Sequence, residues 1–126
     1  MPARILVAED FADAREMLVE YLGFLGYEVA EAADGREAVE RAISFRPDVV
    51  LMDIAMPELD GREATARIKA DPRTKNSVVI AITGHAVRGE DPGTVCPGCD
   101  LLLVKPVLPE TIEKTLRTVL SGDGDA

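Results

Sequence analysis

The stretch Pro47-Asp48-Val49-Val50-Leu51-Met52-Asp53-Ile54-Ala55-Met56-Pro57-Glu58-Leu59-Asp60-Gly61 constrains the fold more than any other part of the chain. An apolar run from Val49 to Met52 ends in a carboxylate, Asp53, and a turn with Pro57 and Gly61 follows at once. Short continuous apolar runs bounded by breakers read as strands covered on both faces, as in parallel sheets. Such a strand delivers its last side chain to the carboxyl edge of the sheet, where open α/β folds keep their sites. A lone strand-ending Asp is commonly no more than a turn cap. Asp53 has company: Glu9-Asp10 ends the run Ile5–Ala8, Thr83 ends Val78–Ile82, and Lys105 ends Leu101–Val104.

Between these runs the spacing changes to that of helices. Ala14, Met17, Leu18, Tyr21, Leu22 and Leu25 form one stripe at three-four spacing, and Gly26 is placed to end it. Tyr27 to Ala33 reads as a less apolar strand, nearer the sheet edge. Asp34-Gly35 opens a second helix with Ala38, Val39, Ala42 and Ile43 on its inner face, closed by Pro47. A third helix is expected from about Gly61 to Ala70, stopping before Asp71-Pro72, because the residue before proline disfavours helix. The last helix starts at Pro109-Glu110 and buries Ile112, Leu116, Val119 and Leu120. Strand alternating with helix in this way predicts an α/β fold, a doubly wound five-stranded parallel sheet with helices on both faces. One domain over residues 4–120 and a flexible tail over 121–126 are expected.

Composition narrows the partners. A chain of 126 residues that is 47% hydrophobic buries a core, and its formal net charge of −9 argues against nucleic acid or an anionic membrane as partner. No apolar run approaches a membrane span. The opening Met1-Pro2-Ala3-Arg4 leads into a strand and does not resemble a signal peptide, so the cytoplasm is the expected compartment.

The strand ends also define a chemistry. Glu9, Asp10 and Asp53 converge three like charges, a cluster stable mainly with a cation bound. Hard oxygen donors without His or Cys suit magnesium, which retains waters and accepts phosphate oxygens. Lys105 brings a positive charge suited to a phosphoryl oxygen or a carboxylate, and Thr83 a hydroxyl able to donate to a phosphoryl oxygen. An Asp so placed is a candidate nucleophile for an aspartyl phosphate.

Four motifs in this order resemble the receiver domain of bacterial two-component response regulators. They are Ile5-Leu6-Val7-Ala8-Glu9-Asp10, Met52-Asp53-Ile54-Ala55-Met56-Pro57 with Asp60-Gly61, Ala81-Ile82-Thr83-Gly84-His85-Ala86, and Val104-Lys105-Pro106. The resemblance covers Arg4 to Leu120 and implies the flavodoxin-like strand order 2-1-3-4-5. It implies that Asp53 accepts a phosphoryl group from a sensor histidine kinase or a histidine phosphotransfer protein, to switch an unknown downstream protein. Magnesium would be held by Asp10, by Glu9 through water, by Asp53 and by the carbonyl of Ala55. Thr83 and Lys105 would bind the phosphoryl oxygens, and the Lys105–Pro106 bond would be cis. No activity is expected beyond taking up a phosphoryl group from a donor and hydrolysing it.

Three departures from the family pattern carry expectations. Leu102 stands three residues before Lys105, where receivers usually place the aromatic of their switch, so that switch is not expected in its usual form. Gly84 after Thr83 would loosen its loop, and His85 is read as a rim residue that affects water access. Asp91-Pro92-Gly93 and Cys96-Pro97-Gly98 put breakers where the fourth helix belongs. An interior proline costs about 3 kcal/mol and a glycine about 1 kcal/mol. A short, irregular or missing fourth helix is therefore expected, with a mobile loop in its place.

Cys96-Pro97-Gly98-Cys99 precedes a strand, whereas redox motifs of this spacing sit at a helix N-terminus, and no second pair completes a zinc site. Two small residues filling a bend is the favoured reading. Alternative functions are a degenerate receiver acting as a phosphorylation-independent binding module, or a variant sensing redox state through Cys96 and Cys99. A related phosphatase would want a second Asp at Ala55, and in a flavodoxin Glu9-Asp10-Phe11-Ala12-Asp13 would repel the FMN phosphate.

Overall fold

A computed structural model describes residues 2–84 and 91–121. Five strands form one parallel sheet: β1 Arg4–Ala8, β2 Glu28–Ala32, β3 Val49–Asp53, β4 Val78–Thr83 and β5 Leu101–Val104. Five helices connect and follow them: α1 Ala12–Phe24, α2 Gly35–Phe45, α3 Gly61–Ala70, α4 Pro92–Val95 and α5 Pro109–Ser121. The strand order is β2-β1-β3-β4-β5, the flavodoxin-like order. The register pairs Val7 with Leu51 and Leu51 with Ile80 across the three central strands.

Strand pleating divides the core into two layers, because successive side chains point to opposite faces. Ile5, Val7, Val49, Leu51, Ile80 and Ile82 pack with Leu18 and Leu22 of α1 and Ile112 and Leu116 of α5. Leu6, Ala8, Val50, Met52 and Val79 pack on the other face with Ala38 and Ala42 of α2 and Ala64 and Ile68 of α3. β3 is buried at all five positions, as its unbroken apolar run implies. The weakly apolar β2 lies at one edge. β5 reads like a buried strand but is the other edge, with Leu101 exposed and the rest half-buried.

Local chemistry sets the helix starts. The side chain of Asp34 accepts from Glu37 N at 2.8 Å while Glu37 accepts from Ala33 N at 2.9 Å, a reciprocal cap on α2. Asp60 caps α3 by accepting from Glu63 N at 3.0 Å. Gly61 starts α3 directly against β3: a Cβ there would run into the Asp53 carbonyl oxygen and sit 2.8 Å from Ile54 Cα.

The fourth helix is short, four residues with Pro92 in its first turn, as the breakers predict. Residues 85–90, which include His85, lie outside the described residues, and so does any loop they form. At the C-terminus Ser121, assigned from sequence to the tail, is the last residue of α5. The remaining tail, 122–126, lies outside the described residues.

One core assignment needs correction. Met17, placed on the inner stripe of α1, is 52% exposed. Six apolar positions span a wider arc than the sheet covers. Each residue turns the helix by about 100°, so the step from Leu18 back to Met17 leaves the buried face. Among the described residues no helix is long and apolar enough to cross a membrane.

Candidate functional site

The carboxyl edge of the sheet gathers the strand-end residues. Asp53, the last residue of β3, is 4% exposed, and Glu9, just beyond β1, is 9% exposed, while Asp10 is open to solvent. Each offers a carboxylate oxygen, and these atoms lie within 4.8 Å of one another. Lys105, following β5, reaches in with Nζ 3.3 Å from Asp53 Oδ2 and 3.9 Å from Glu9 Oε1. The other Asp53 oxygen accepts from Ala55 N at 3.3 Å, which turns the residue after next toward the carboxylate.

The remaining candidates fall around this core. Thr83 ends β4 and is buried, and Lys105 N donates to its carbonyl at 2.7 Å. Gly84 is exposed beside it, and a Cβ there would lie 4.0 Å from Lys105 Cβ. The Lys105–Pro106 peptide is cis, as the resemblance implies. Leu102 is half-buried on the edge strand β5 and packs on Ile54, Ala81 and Cys96 beneath the site. His85 is not among the described residues.

Electrostatics at the cluster are unbalanced. Burial, together with the neighbouring Asp53 carboxylate, pushes Glu9 up to about 7, against the pull of Phe11 N and Lys105. A donor set of three carboxylates, one of them strained toward its neutral form, fits a hard divalent cation. Such an ion would relieve the repulsion that Lys105 only partly offsets.

Two features were missed from sequence. Arg15 of α1 donates from Nη1 to the Glu9 carbonyl at 2.8 Å and from Nε to Glu31 at 3.0 Å, tying the β1–α1 turn to β2. It is the one basic residue of α1 among Asp13, Glu16 and Glu20, a signal that was legible. A cavity of about 700 Å³ also opens beside the carboxylates, with Phe11, Ala14, Met17, Pro106 and Pro109 in its wall. Its apolar wall comes from two helices distant in sequence, so no single segment announces it.

The response regulator receiver domain model matches residues 5–117. The chain belongs to the response regulator receiver family. It is 40% identical over 121 residues to the chemotaxis protein CheY of Thermotoga maritima, covering 94% of this chain and 98% of that one. It is 32% identical to the polar-differentiation response regulator DivK of Brucella anthropi over the full length of both. Among solved structures it is similar to the receiver domain of sensor histidine kinase PA1611 from Pseudomonas aeruginosa. That match has a TM-score of 0.84 and 31% identity, covering 96% of this chain and 99% of that one, and that structure has a magnesium ion coordinated in its active site cleft. Receivers of this family are the phosphoacceptor modules of two-component signalling, and this chain shares their fold and the acidic cluster at the carboxyl edge of the sheet.

Proposed function

We propose that Asp53 is the phosphoacceptor of this receiver, supplied by a sensor histidine kinase or a histidine phosphotransfer protein. The observation that carries this reading is the placement of a nearly buried Asp53 within reach of both Glu9-Asp10 and Lys105. An oxygen of Asp53 forms a bond to phosphorus as the bond from phosphorus to the donor nitrogen, or to an acyl oxygen, breaks; the leaving group takes the electron pair. Lys105 then exchanges its carboxylate partner for a phosphoryl oxygen, and the Thr83 hydroxyl donates to another. Glu9, Asp10, Asp53 and the carbonyl of Ala55 would hold magnesium, which would supply neutralisation of the charge on the transferring group.

Phosphorylation shifts an equilibrium between two surface states, and a downstream protein reads the difference. With Leu102 in the position of the usual aromatic, packing against Ile54, Ala81 and Cys96 carries the signal in place of a swinging ring. Activity is confined to phosphoryl uptake and hydrolysis, and the working compartment is the cytoplasm, with neither nucleic acid nor membrane as partner.

Intact mass after incubation with magnesium and acetyl phosphate tests the assignment. Wild type gains the mass of one phosphoryl group and Asp53→Ala gains none. Equal gain in both would overturn Asp53 as acceptor. No gain in wild type, with magnesium binding shown separately and a phosphotransfer protein also failing, would favour a phosphorylation-independent binding module.

A further inference from the structure

Cys96 and Cys99 are free thiols that phosphoryl transfer does not use. Cys96 is the C-cap of α4, and Cys99 N donates to its carbonyl at 3.0 Å. Pro97 and Gly98, the latter at φ +92°, fill the centre of this four-residue turn, the residue pattern of a type II turn. A turn of this kind keeps its end Cα atoms within about 7 Å, and disulfides bridge Cα atoms about 4.4–6.8 Å apart. The backbone therefore already stands in bridging range.

The turn is also held from outside. Arg62 Nε of α3 donates to the Val95 carbonyl at 2.7 Å. Lys69 Nζ donates to Asp100 Oδ2 and to the Ser77 carbonyl, each at 2.7 Å, and Asp100 Oδ2 accepts from Val79 N at 2.8 Å. Cys99 donates its S–H to the Pro92 carbonyl at 3.3 Å. Cys96 is fully buried against Ile54, next to Asp53, and Ala81, two residues before Thr83, with Cys99 and Leu102 packed on the same cluster.

We propose that Cys96 and Cys99 form a reversible dithiol–disulfide couple that staples the α4–β5 connection, exchanging with low-molecular-weight disulfides of the glutathione type. Cys99, the half-buried member, loses its proton and attacks one sulfur of the small disulfide, releasing one small thiolate, which takes up a proton. Cys96, deprotonated in turn, attacks the Cys99 sulfur of the mixed disulfide and expels the second thiolate, which is protonated likewise. Two electrons and two protons pass from the protein to two small thiols.

Burial and the adjacent Cys96 push the Cys99 thiol up to about 12, so exchange is slow near neutral pH. The pair therefore follows a sustained redox poise and is not suited to sensing a brief oxidant pulse. Bridging removes the S–H donated to Pro92 and draws the Cys96 sulfur, already packed on Ile54 and Ala81, toward Cys99. Redox state thus reaches the floor of the carboxylate site, independently of whether Asp53 is phosphorylated.

The test equilibrates the whole protein in buffers of graded reduced to oxidised glutathione, quenches by alkylation in denaturant and reads intact mass. Wild type is expected to lose both alkylatable thiols together, in one transition, as a monomer lighter by two hydrogens. Cys99→Ser is expected to form no internal bridge. Thiols that stay fully alkylatable in oxidised glutathione, while the urea-unfolded chain oxidises in the same buffer, would overturn the proposal, as would a disulfide-linked dimer as product. Amide NMR of the two redox forms supplies the second arm. Shifts at Ile54, Ala81 and Leu102 are expected, and changes confined to 96–99 would overturn the link to the site.

Discussion

Replacing Glu9 by Gln should make the metal-free protein more stable above neutral pH, although it removes a residue of the site. Glu9 is raised from 4.5 to about 7, so between those values the folded protein binds a proton that the unfolded chain has released. Stability therefore falls as pH rises through that window; below 4.5 both states are protonated and the effect vanishes. The shift corresponds to at most about 3–4 kcal/mol, each pKa unit being worth about 1.4 kcal/mol. Glutamine copies the protonated acid: its carbonyl can accept from Phe11 N, as Glu9 Oε2 does at 3.1 Å, and its amide can donate to Asp53. Allowing for the residual exposure of the side chain, we expect about 2 kcal/mol at pH 8. For a domain of this size that is a rise in Tm of roughly 6–10 °C. The assay is thermal unfolding of wild type and Glu9→Gln in chelator at pH 8 and at pH 4.5, repeated with magnesium. The difference should shrink to a few tenths of a kcal/mol, about RT ln 2, at pH 4.5, and magnesium should stabilise wild type more than the variant. Equal Tm values at pH 8 in chelator would refute the reasoning.

Three further outcomes are expected. Gly61→Ala forces a Cβ into the backbone at the end of β3, where Asp53 and Ile54 cannot retreat without breaking the sheet edge; a loss of about 3 kcal/mol or more in urea unfolding is expected. Thr65 of α3 is fully buried and its hydroxyl has no hydrogen-bond partner among the described residues, so Thr65→Val should be neutral or stabilise by up to about 1 kcal/mol in the same assay. Lys105→Met removes the cation 3.3 Å from Asp53 and should slow phosphoryl uptake from acetyl phosphate about 10²-fold, read by intact mass over time, while the fold and the Asp53→Ala control are unchanged.

Much of this molecule was legible in the order of its residues. Val49–Met52 has no polar position on either face, so only a strand covered on both sides can hold it, and β3 is the buried centre of the sheet. Pro92, Gly93, Pro97 and Gly98 remove the hydrogen bonds and add the backbone entropy that forbid a long helix, and α4 is four residues. The residues of the site were nameable because each ends an apolar run, and parallel strands bring their ends to one edge.

Other properties depend on which elements become neighbours. Leu101–Val104 is as apolar as β3, yet it lies at an edge, because position in a sheet depends on crossover connections and not on a strand's own composition. Met17 is apolar but faces the cavity beside the carboxylates, since the arc of α1 exceeds what the sheet covers. Arg15 acquires its role from a carbonyl six residues away and a carboxylate on β2. The cysteine pair reads as a bend from spacing alone; its contact with Ile54 and Ala81 comes from α4 folding onto the face shared with α3. Alternation of apolar runs and helical stripes determined the fold and the chemistry at its carboxyl edge. Tertiary packing alone decided how that chemistry is tuned, because burial, charge spacing and shared surfaces are properties of pairs of segments that the chain brings together only on folding.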